Sequence, residues 1–205
     1  MAADLTGRLI DATVAAIRAD AERLTALDQA IGDGDHGVNM KRGFEAIAAA
    51  RDEFAGLPLP QALQKAGMAL VMKVGGASGP LYGSLLMSMG KAAAEDAGLA
   101  GPLADGIAAI KKRGRSDVGQ KTMLDVLVPA LVALEAGEAE GLAPRELLQR
   151  VRAAAEDGLA ATAPMQATAG RASYLGTRSV GHLDPGAASS ALLIGAVCDV
   201  LAEEL

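Results

Sequence analysis

The densest group of side chains able to do chemistry lies in an acidic, glycine-rich stretch at positions 28–37. Asp28, Asp33 and Asp35 fall within eight positions, with glycines around them. Carboxylates this close repel one another, and hard divalent cations such as Mg2+ relieve that repulsion by binding carboxylate oxygens. Glycines allow the backbone to turn tightly and to approach a ligand closely. Because His36 lies in the same run, the pattern favours a magnesium site over a solvated acidic turn.

Three common loop motifs do not account for this stretch. Residues 32–37 match the G-x-G-x-x-G pattern of dinucleotide-binding loops, but that loop must follow a strand, and the residues before it have helical periodicity. An EF-hand loop starting at Asp33 would need glycine at its sixth position and glutamate at its twelfth, where Val38 and Phe44 stand. A Walker A loop needs serine or threonine after Gly-Lys, and here Ala92 follows. Any nucleotide must therefore be held in another way.

Two later segments have the residues to bind an anion. Residues 74–80 combine two glycines with Ser78 and a proline at a helix start, where N–H groups form an anion site. Residues 170–182 place Arg171 and Arg178 among glycines, and a guanidinium binds phosphate through a planar fork. Read alone, the first segment could equally be a plain helix cap, and the second a surface loop with ordinary ion pairs. Together with the carboxylates they form the assembly that phosphoryl transfer requires, because that chemistry depends on positioning and charge neutralisation.

Helices must position these segments. The apolar spacing predicts eight of them, at residues 5–24, 37–50, 60–73, 81–95, 102–112, 122–135, 144–161 and 185–203. Pro129 is expected to interrupt or kink the sixth helix, while Asp184 caps the last one and Pro185 begins it. Four connections are rich in glycine or small polar residues, at 28–39, 74–80, 114–121 and 167–185. About eight helices with short connections predict an all-α fold, an antiparallel bundle or barrel.

The composition excludes several classes of protein. A chain of 205 residues with 51% hydrophobic and 21% charged residues predicts a single folded domain spanning residues 1–205. Aromatic residues are only 2%, so the core must consist of aliphatic side chains and alanine, which suits closely packed helices. The net charge of -6 argues against nucleic-acid binding. With one cysteine there is no intrachain disulfide framework, and we expect neither a signal peptide nor a membrane span, hence a cytoplasmic protein.

Four segments resemble the nucleotide-binding L subunit of dihydroxyacetone kinase. They read ALDQAIGDGDHGVNMKRGF, VGGASGPLYG, GQKTMLDVLVP and GRASYLGTRSVGHLDPGA, and they follow in order across most of the chain. The resemblance implies an antiparallel barrel of eight helices with the nucleotide at one end, in agreement with the helix count. It also implies that residues 114–121 form a nucleotide lid, in which Gln120 replaces an acidic residue of some relatives. In the related fatty-acid kinases a threonine typically takes the place of His36, so His36 favours the ketose kinase.

The resemblance also implies a set of site residues. Asp28, Asp33 and Asp35 would hold two Mg2+ ions that bridge the phosphates of ADP or ATP. No residue is assigned a catalytic role with certainty. The implied nucleotide contacts are His36, Gly37, Val38, Asn39, Ala77, Ser78, Gly114, Met123, Arg171, Asp184, Pro185 and Gly186.

The reaction that follows from the resemblance is transfer of a phosphoryl group to dihydroxyacetone, giving dihydroxyacetone phosphate. In this family a separate K subunit holds the ketose. Two donors are possible: ADP as a resident cofactor that a phosphotransferase-system protein rephosphorylates, or exchangeable ATP. Erythrulose remains an alternative substrate. A nucleotide-state sensor that binds a transcriptional regulator and a plain helical metal-binding module are the competing interpretations.

Overall fold

The computed structural model describes residues 4–95 and 98–205, and these residues form nine α-helices, one 3-10 helix and no strand. The helices are α1 (Leu5–Ile31), α2 (His36–Ala49), α3 (Arg51–Ala55), α4 (Leu59–Lys73), α5 (Ser78–Ala92), α6 (Ala100–Gly114), α7 (Leu124–Glu140), α8 (Pro144–Ala161) and α9 (Pro185–Glu203). The 3-10 helix covers Arg171–Ser179. The all-α prediction is therefore confirmed.

Eight of the helices form a closed ring. Starting from α1, each packs against the next in the order α1, α2, α4, α5, α6, α7, α8 and α9, and α9 packs back against α1. The short helix α3 lies between α2 and α4 and also contacts α1. Short connections between neighbours make successive helices antiparallel, so the ring is the predicted up-and-down barrel.

This topology brings the chemically interesting loops together. In an up-and-down ring the connections alternate between the two ends. The loops at residues 32–35, 74–77, 115–123 and 162–184 therefore lie at one end, and the other connections lie at the opposite end. Four helices, α2, α5, α7 and α9, begin at the loop-rich end, so their positive N-terminal dipoles face it.

Small residues let the helices approach one another closely. A Cβ added to Gly67 on α4 would come within 2.7 Å of the Gly83 carbonyl oxygen on α5, and the reverse distance is also 2.7 Å. Aliphatic side chains such as Ile17, Leu24 and Leu70 fill the interior and are almost completely buried. The expected aliphatic core is thus present.

Several helix boundaries differ from the sequence prediction. Helix α1 continues to Ile31, which places Asp28 on its last turn and not in a loop. Helix α7 continues through Pro129 without an interruption and extends to Glu140. The segment predicted as a connection at 167–185 contains the 3-10 helix, and α3 was not predicted because it has only five residues. Such short elements carry too little periodicity to be recognised.

Within the described residues, α9 alone is long and apolar enough to cross a membrane, with a mean hydropathy of 1.6. The sequence prediction had named no such segment. Length and composition are weak evidence, because a core helix passes the same test. Helix α9 packs against α1, α7 and α8.

Candidate nucleotide and metal site

The four loops surround a cavity of about 430 Å³ at the loop-rich end of the ring. Its walls are the last turns of α1 and α6, the first turns of α2, α5 and α9, and the start of the 3-10 helix. Of the fifteen residues implied as site residues, twelve line it: Asp28, Asp33, Asp35, His36, Ala77, Ser78, Gly114, Met123, Arg171, Asp184, Pro185 and Gly186.

The three carboxylates form one cluster on the cavity wall. Their ligand oxygens all lie within 4.8 Å of one another. Asp28 is buried, and its Oδ2 accepts hydrogen bonds from the backbone N–H groups of Asp35 (2.8 Å) and His36 (3.1 Å). These bonds draw the loop back over the end of α1. An all-oxygen set of this kind fits Mg2+, which prefers carboxylate ligands combined with phosphate and water.

One arginine lies directly against this cluster. Nη2 of Arg171 is 3.1 Å from Oδ2 of Asp33, across the cavity from the 3-10 helix to the acidic loop. Its side chain is 65% exposed, so the guanidinium can move toward an anion that enters the cavity. Arg178, the other arginine of the segment, does not belong to the cavity lining, whereas Arg113 at the end of α6 does and was not predicted.

His36 is buried and has a hydrogen-bond partner on each ring nitrogen. Nδ1 is 2.9 Å from Oγ of Ser78, and Nε2 is 2.9 Å from Oγ of Ser189. Burial lowers the pKa of His36 below its usual value, and the nearby Asp28 opposes that shift. A plain helix cap was one of the two interpretations of the segment at 74–80, but the hydroxyl of Ser78 is bonded to His36, and α5 begins without a side-chain cap.

Three implied phosphate contacts lie outside the cavity lining. Gly37 packs on α1, where an added Cβ would meet the Ala21 carbonyl oxygen at 1.9 Å. The Val38 side chain is 59% exposed, and Asn39 is buried beside Gly75. The side chains of Val38 and Asn39 are therefore not part of the cavity wall. A phosphate contact from this segment would have to come from the first-turn N–H groups of α2, and it stays a prediction.

Among the residues that the structure describes, Lys121 is the most buried charged one, with 1% of its surface exposed. Its Nζ lies within hydrogen-bond distance of the carbonyl oxygens of Thr162 (2.6 Å), Met165 (3.1 Å), Ala163 (3.4 Å) and His182. The ammonium group therefore joins two of the four loops at this end, because it connects 115–123 to both ends of 162–184. Sequence reasoning missed this residue because its partners lie 41 to 61 positions away.

Asp184 confirms the predicted start of α9. Its carboxylate accepts a hydrogen bond from the N–H of Ala187 at 2.7 Å. Burial raises the pKa of Asp184 to about 7, and the nearby carboxylate of Asp125 adds to the effect. The capping bond and the ammonium of Lys121 act in the opposite direction and favour the ionised form.

Comparison with known proteins gives consistent matches. The family model for the DAK2 domain matches residues 30–199. The chain is 45% identical, over 185 residues and 88% of each protein, to the ADP-binding subunit DhaL of PEP-dependent dihydroxyacetone kinase 1 from Listeria innocua. It is 39% identical, over 175 residues and 83% of each protein, to the corresponding subunit from Escherichia coli.

A solved structure shares the fold. The dihydroxyacetone kinase of C. freundii, determined in complex with AMP-PNP and Mg2+, superposes with a TM-score of 0.78 and 28% sequence identity. The match covers all of this chain but only 34% of that kinase, so the chain spans about a third of its length. The chain therefore belongs to the DAK2 domain family, alongside the ADP-binding L subunits of dihydroxyacetone kinases.

Proposed function

We propose that this protein is the nucleotide-binding phosphotransferase subunit of a dihydroxyacetone kinase, and that it transfers a phosphoryl group to dihydroxyacetone held by a K subunit. One observation carries the proposal. The cavity of about 430 Å³ combines three clustered carboxylates, three helix starts and two arginines. The names of the relatives and the nucleotide complex of the C. freundii kinase support the same function.

The charges in the cavity suit magnesium and a nucleoside diphosphate. Three carboxylates and the charge of about -3 on ADP would repel strongly unless cations intervene. Two Mg2+ ions bound by Asp28, Asp33 and Asp35 would neutralise most of this charge. Arg171 and Arg113, which line the same cavity, would compensate the remainder. We therefore propose two ions.

In the proposed reaction the protein positions groups and neutralises charge. The metal ions, when bound, supply electrostatic stabilisation of the charge on the transferred phosphoryl group. The start of α5 at Ser78 lines the cavity without a side-chain cap, so its first-turn N–H groups can orient phosphate oxygens. At the start of α9 the carboxylate of Asp184 already accepts the N–H of Ala187. Arg171 can exchange its contact with Asp33 for a phosphate contact.

For the phosphoryl donor, we propose resident ADP that a phosphotransferase-system protein rephosphorylates. Relatives from Listeria innocua and Escherichia coli that are named PEP-dependent support this choice. ATP as an exchangeable substrate is the alternative. A reaction that contains ATP but no phosphotransferase-system protein distinguishes these two donors. It gives product if ATP is an exchangeable substrate, and none if resident ADP must be rephosphorylated.

Reconstitution tests the function. The protein is mixed with its K subunit, dihydroxyacetone, Mg2+ and either donor, and dihydroxyacetone phosphate is followed by 31P NMR. We expect product with the wild type and none above background with Asp33→Ala. The control, Asp52→Ala, removes a carboxylate that is 98% exposed in α3, away from the cavity, and should leave the rate unchanged. A wild type that forms no product with either donor would refute the proposal.

A further inference from the structure

The loop at 115–123 forms one wall of the cavity, although little of it is buried. Four of its residues line the cavity: Ser116, Lys121, Thr122 and Met123. Within the loop only Lys121 and Met123 are buried, and residues 117–119 are exposed. Apolar packing therefore reaches only the end of the loop, and the shape of the remainder depends on hydrogen bonds.

The turn at residues 119–122 has an unfavourable backbone conformation. Both Gly119, at φ 85°, and Lys121, at φ 62°, lie in the left-handed region. Glycine adopts that region freely, but the Cβ of a lysine comes too close to the backbone there. A residue in such a conformation persists only where the surrounding structure fixes it. The turn therefore needs an anchor outside itself.

The buried carboxylate of Asp125 is this anchor. Asp125 lies in the first turn of α7 and is 2% exposed. Its Oδ1 accepts a hydrogen bond from the N–H of Gly119 at 2.5 Å, and its Oδ2 accepts one from the N–H of Thr122 at 2.8 Å. The two bonds bracket Lys121. Hydrogen bonds to a carboxylate are about twice as strong as neutral ones, and burial protects these two from competition with water.

Other contacts attach the loop to its neighbours. Nζ of Lys121 binds carbonyl oxygens at both ends of the loop at 162–184, which determines where the cavity wall lies but not the shape of its turn. Met123 lies against the start of α9, since a Cβ added to Gly186 would be 3.6 Å from the Cβ of Met123. The turn that Asp125 fixes thus leads directly into residues that line the cavity.

We infer that Asp125 is a positioning residue for the nucleotide, because its carboxylate holds the 115–123 loop in the turn that completes the cavity wall. Asp125 is not itself part of that wall. Without the two bonds the loop would have to become ordered when the nucleotide binds, and the apparent affinity falls with the fraction of molecules that are ready to bind. The inference deepens the proposed function and rests on it for the nucleotide.

Two substitutions and one control separate this role from a general effect on stability. Asp125→Asn has nearly the same shape and keeps one oxygen acceptor, so it can hold only one of the two N–H groups. Asp125→Ala holds neither. The control is Ile47→Val, at the opposite end of α2 from the cavity, where the side chain is 3% exposed. It removes one buried carbon and lowers the stability without touching the loop.

The first test is amide hydrogen exchange of the nucleotide-free protein, followed by NMR. We expect the amides of Gly119 and Thr122 to be protected in the wild type and in Ile47→Val. Asp125→Asn should lose the protection of one of them and Asp125→Ala that of both, while amides in the middle of α7 stay protected. Unprotected Gly119 and Thr122 amides in the wild type would overturn the inference. Loss of protection along the whole of α7 in Asp125→Asn would also overturn it, since Asp125 would then serve only the helix.

The second test is nucleotide affinity, measured by isothermal titration calorimetry at a temperature where the variants are folded. Losing one hydrogen bond to a charged group changes an equilibrium by about tenfold or more. Asp125→Asn should therefore weaken binding of Mg–ADP by about tenfold, and Asp125→Ala by more. Ile47→Val should bind like the wild type. If Asp125→Asn also binds Mg–ADP like the wild type, the positioning role is wrong.

The two tests separate a failure of this inference from a failure of the proposed function. A wild type that does not bind Mg–ADP at all would refute the proposed function, and with it the nucleotide part of the inference. Amide exchange in the free protein would still decide whether Asp125 holds the loop. If Asp125→Ala does not fold, the comparison of Asp125→Asn with Ile47→Val decides both tests.

Discussion

Replacing Lys121 by methionine is expected to destabilise the protein by about 3–5 kcal/mol, although the two side chains have similar shapes. The ammonium group of Lys121 is the point where the loop at 115–123 meets both ends of the loop at 162–184. Methionine keeps the apolar stem and removes the charge and all three N–H donors. The backbone strain of the site is unchanged, because either residue would have to adopt the left-handed conformation at φ 62°.

The magnitude follows from the hydrogen bonds that are lost. An ammonium with three hydrogens can satisfy three of its four carbonyl neighbours at a time. Each hydrogen bond to a charged group contributes about 1.5–3 kcal/mol, and the cost of keeping the ammonium out of water offsets part of that sum. Buried carbonyl groups left without a donor add to the loss. A net of about 3–5 kcal/mol is a large share of the usual 5–15 kcal/mol of folding stability.

Urea unfolding followed by circular dichroism measures this change. At a slope of about 1–3 kcal/mol per molar urea, the midpoint should fall by more than 1 M. The control is Lys111→Met, the same substitution in the ion pair with Asp117, where Nζ and Oδ1 are 2.6 Å apart but both side chains are more than one third exposed. An exposed pair of this kind contributes little to stability, because water and salt screen it. If Lys121→Met and Lys111→Met lower the urea midpoint by the same small amount, the buried hydrogen bonds of Lys121 do not hold the two loops together.

Three further outcomes are expected. Gly37→Ala should lower the free energy of unfolding by about 1–3 kcal/mol, because the new Cβ would come within 1.9 Å of the Ala21 carbonyl oxygen; Gly56→Ala, whose Cβ would have no neighbour closer than 3.6 Å, is the control for the same urea experiment. Asp184 has a folded pKa of about 7 against an ordinary value of 3.8, so its contribution to stability is complete below about pH 4 and is lost as the pH rises to about 7. The stability of the wild type relative to Asp184→Asn should therefore fall over that window, by at most about 4 kcal/mol; a difference that is flat with pH would contradict the raised pKa. Removing Mg2+ with EDTA should weaken ADP binding by more than tenfold in equilibrium dialysis, and an affinity that is insensitive to EDTA would contradict a metal-bridged phosphate.

Local signals in the sequence were enough to predict the helices and much of the site. Asp184 and Pro185 mark the start of α9 through a capping bond that spans three residues. The spacing of Asp33 and Asp35 suggested the acidic cluster directly. The sequence also includes Asp28 in that cluster but predicts it in the connection at 28–39, because an acidic residue near glycines resembles a turn. In the structure the last turn of α1 carries it.

The features that sequence reasoning missed depend on contacts between distant segments. Lys121 appears in the sequence as one more basic residue at the end of the 114–121 connection, and only its contacts with both ends of the 162–184 loop show why it is buried. Ser189 stands in an apolar helix among alanines, where it resembles a small packing residue. Its hydroxyl nevertheless contacts the ring of His36, which lies 153 positions earlier. The single-domain boundary, the cytoplasmic location and the individual ligand roles stay predictions.

Native mass spectrometry in magnesium tests the central claim, the binding of a magnesium nucleotide in the cavity, most directly. The protein is purified without added nucleotide, weighed, and weighed again after addition of Mg–ADP or Mg–ATP. We predict a mass excess of one ADP and two Mg2+ on the wild type, either as purified or after addition of nucleotide, and its loss in Asp33→Ala. A folded wild type that stays at the mass of the bare chain with both nucleotides would contradict the account.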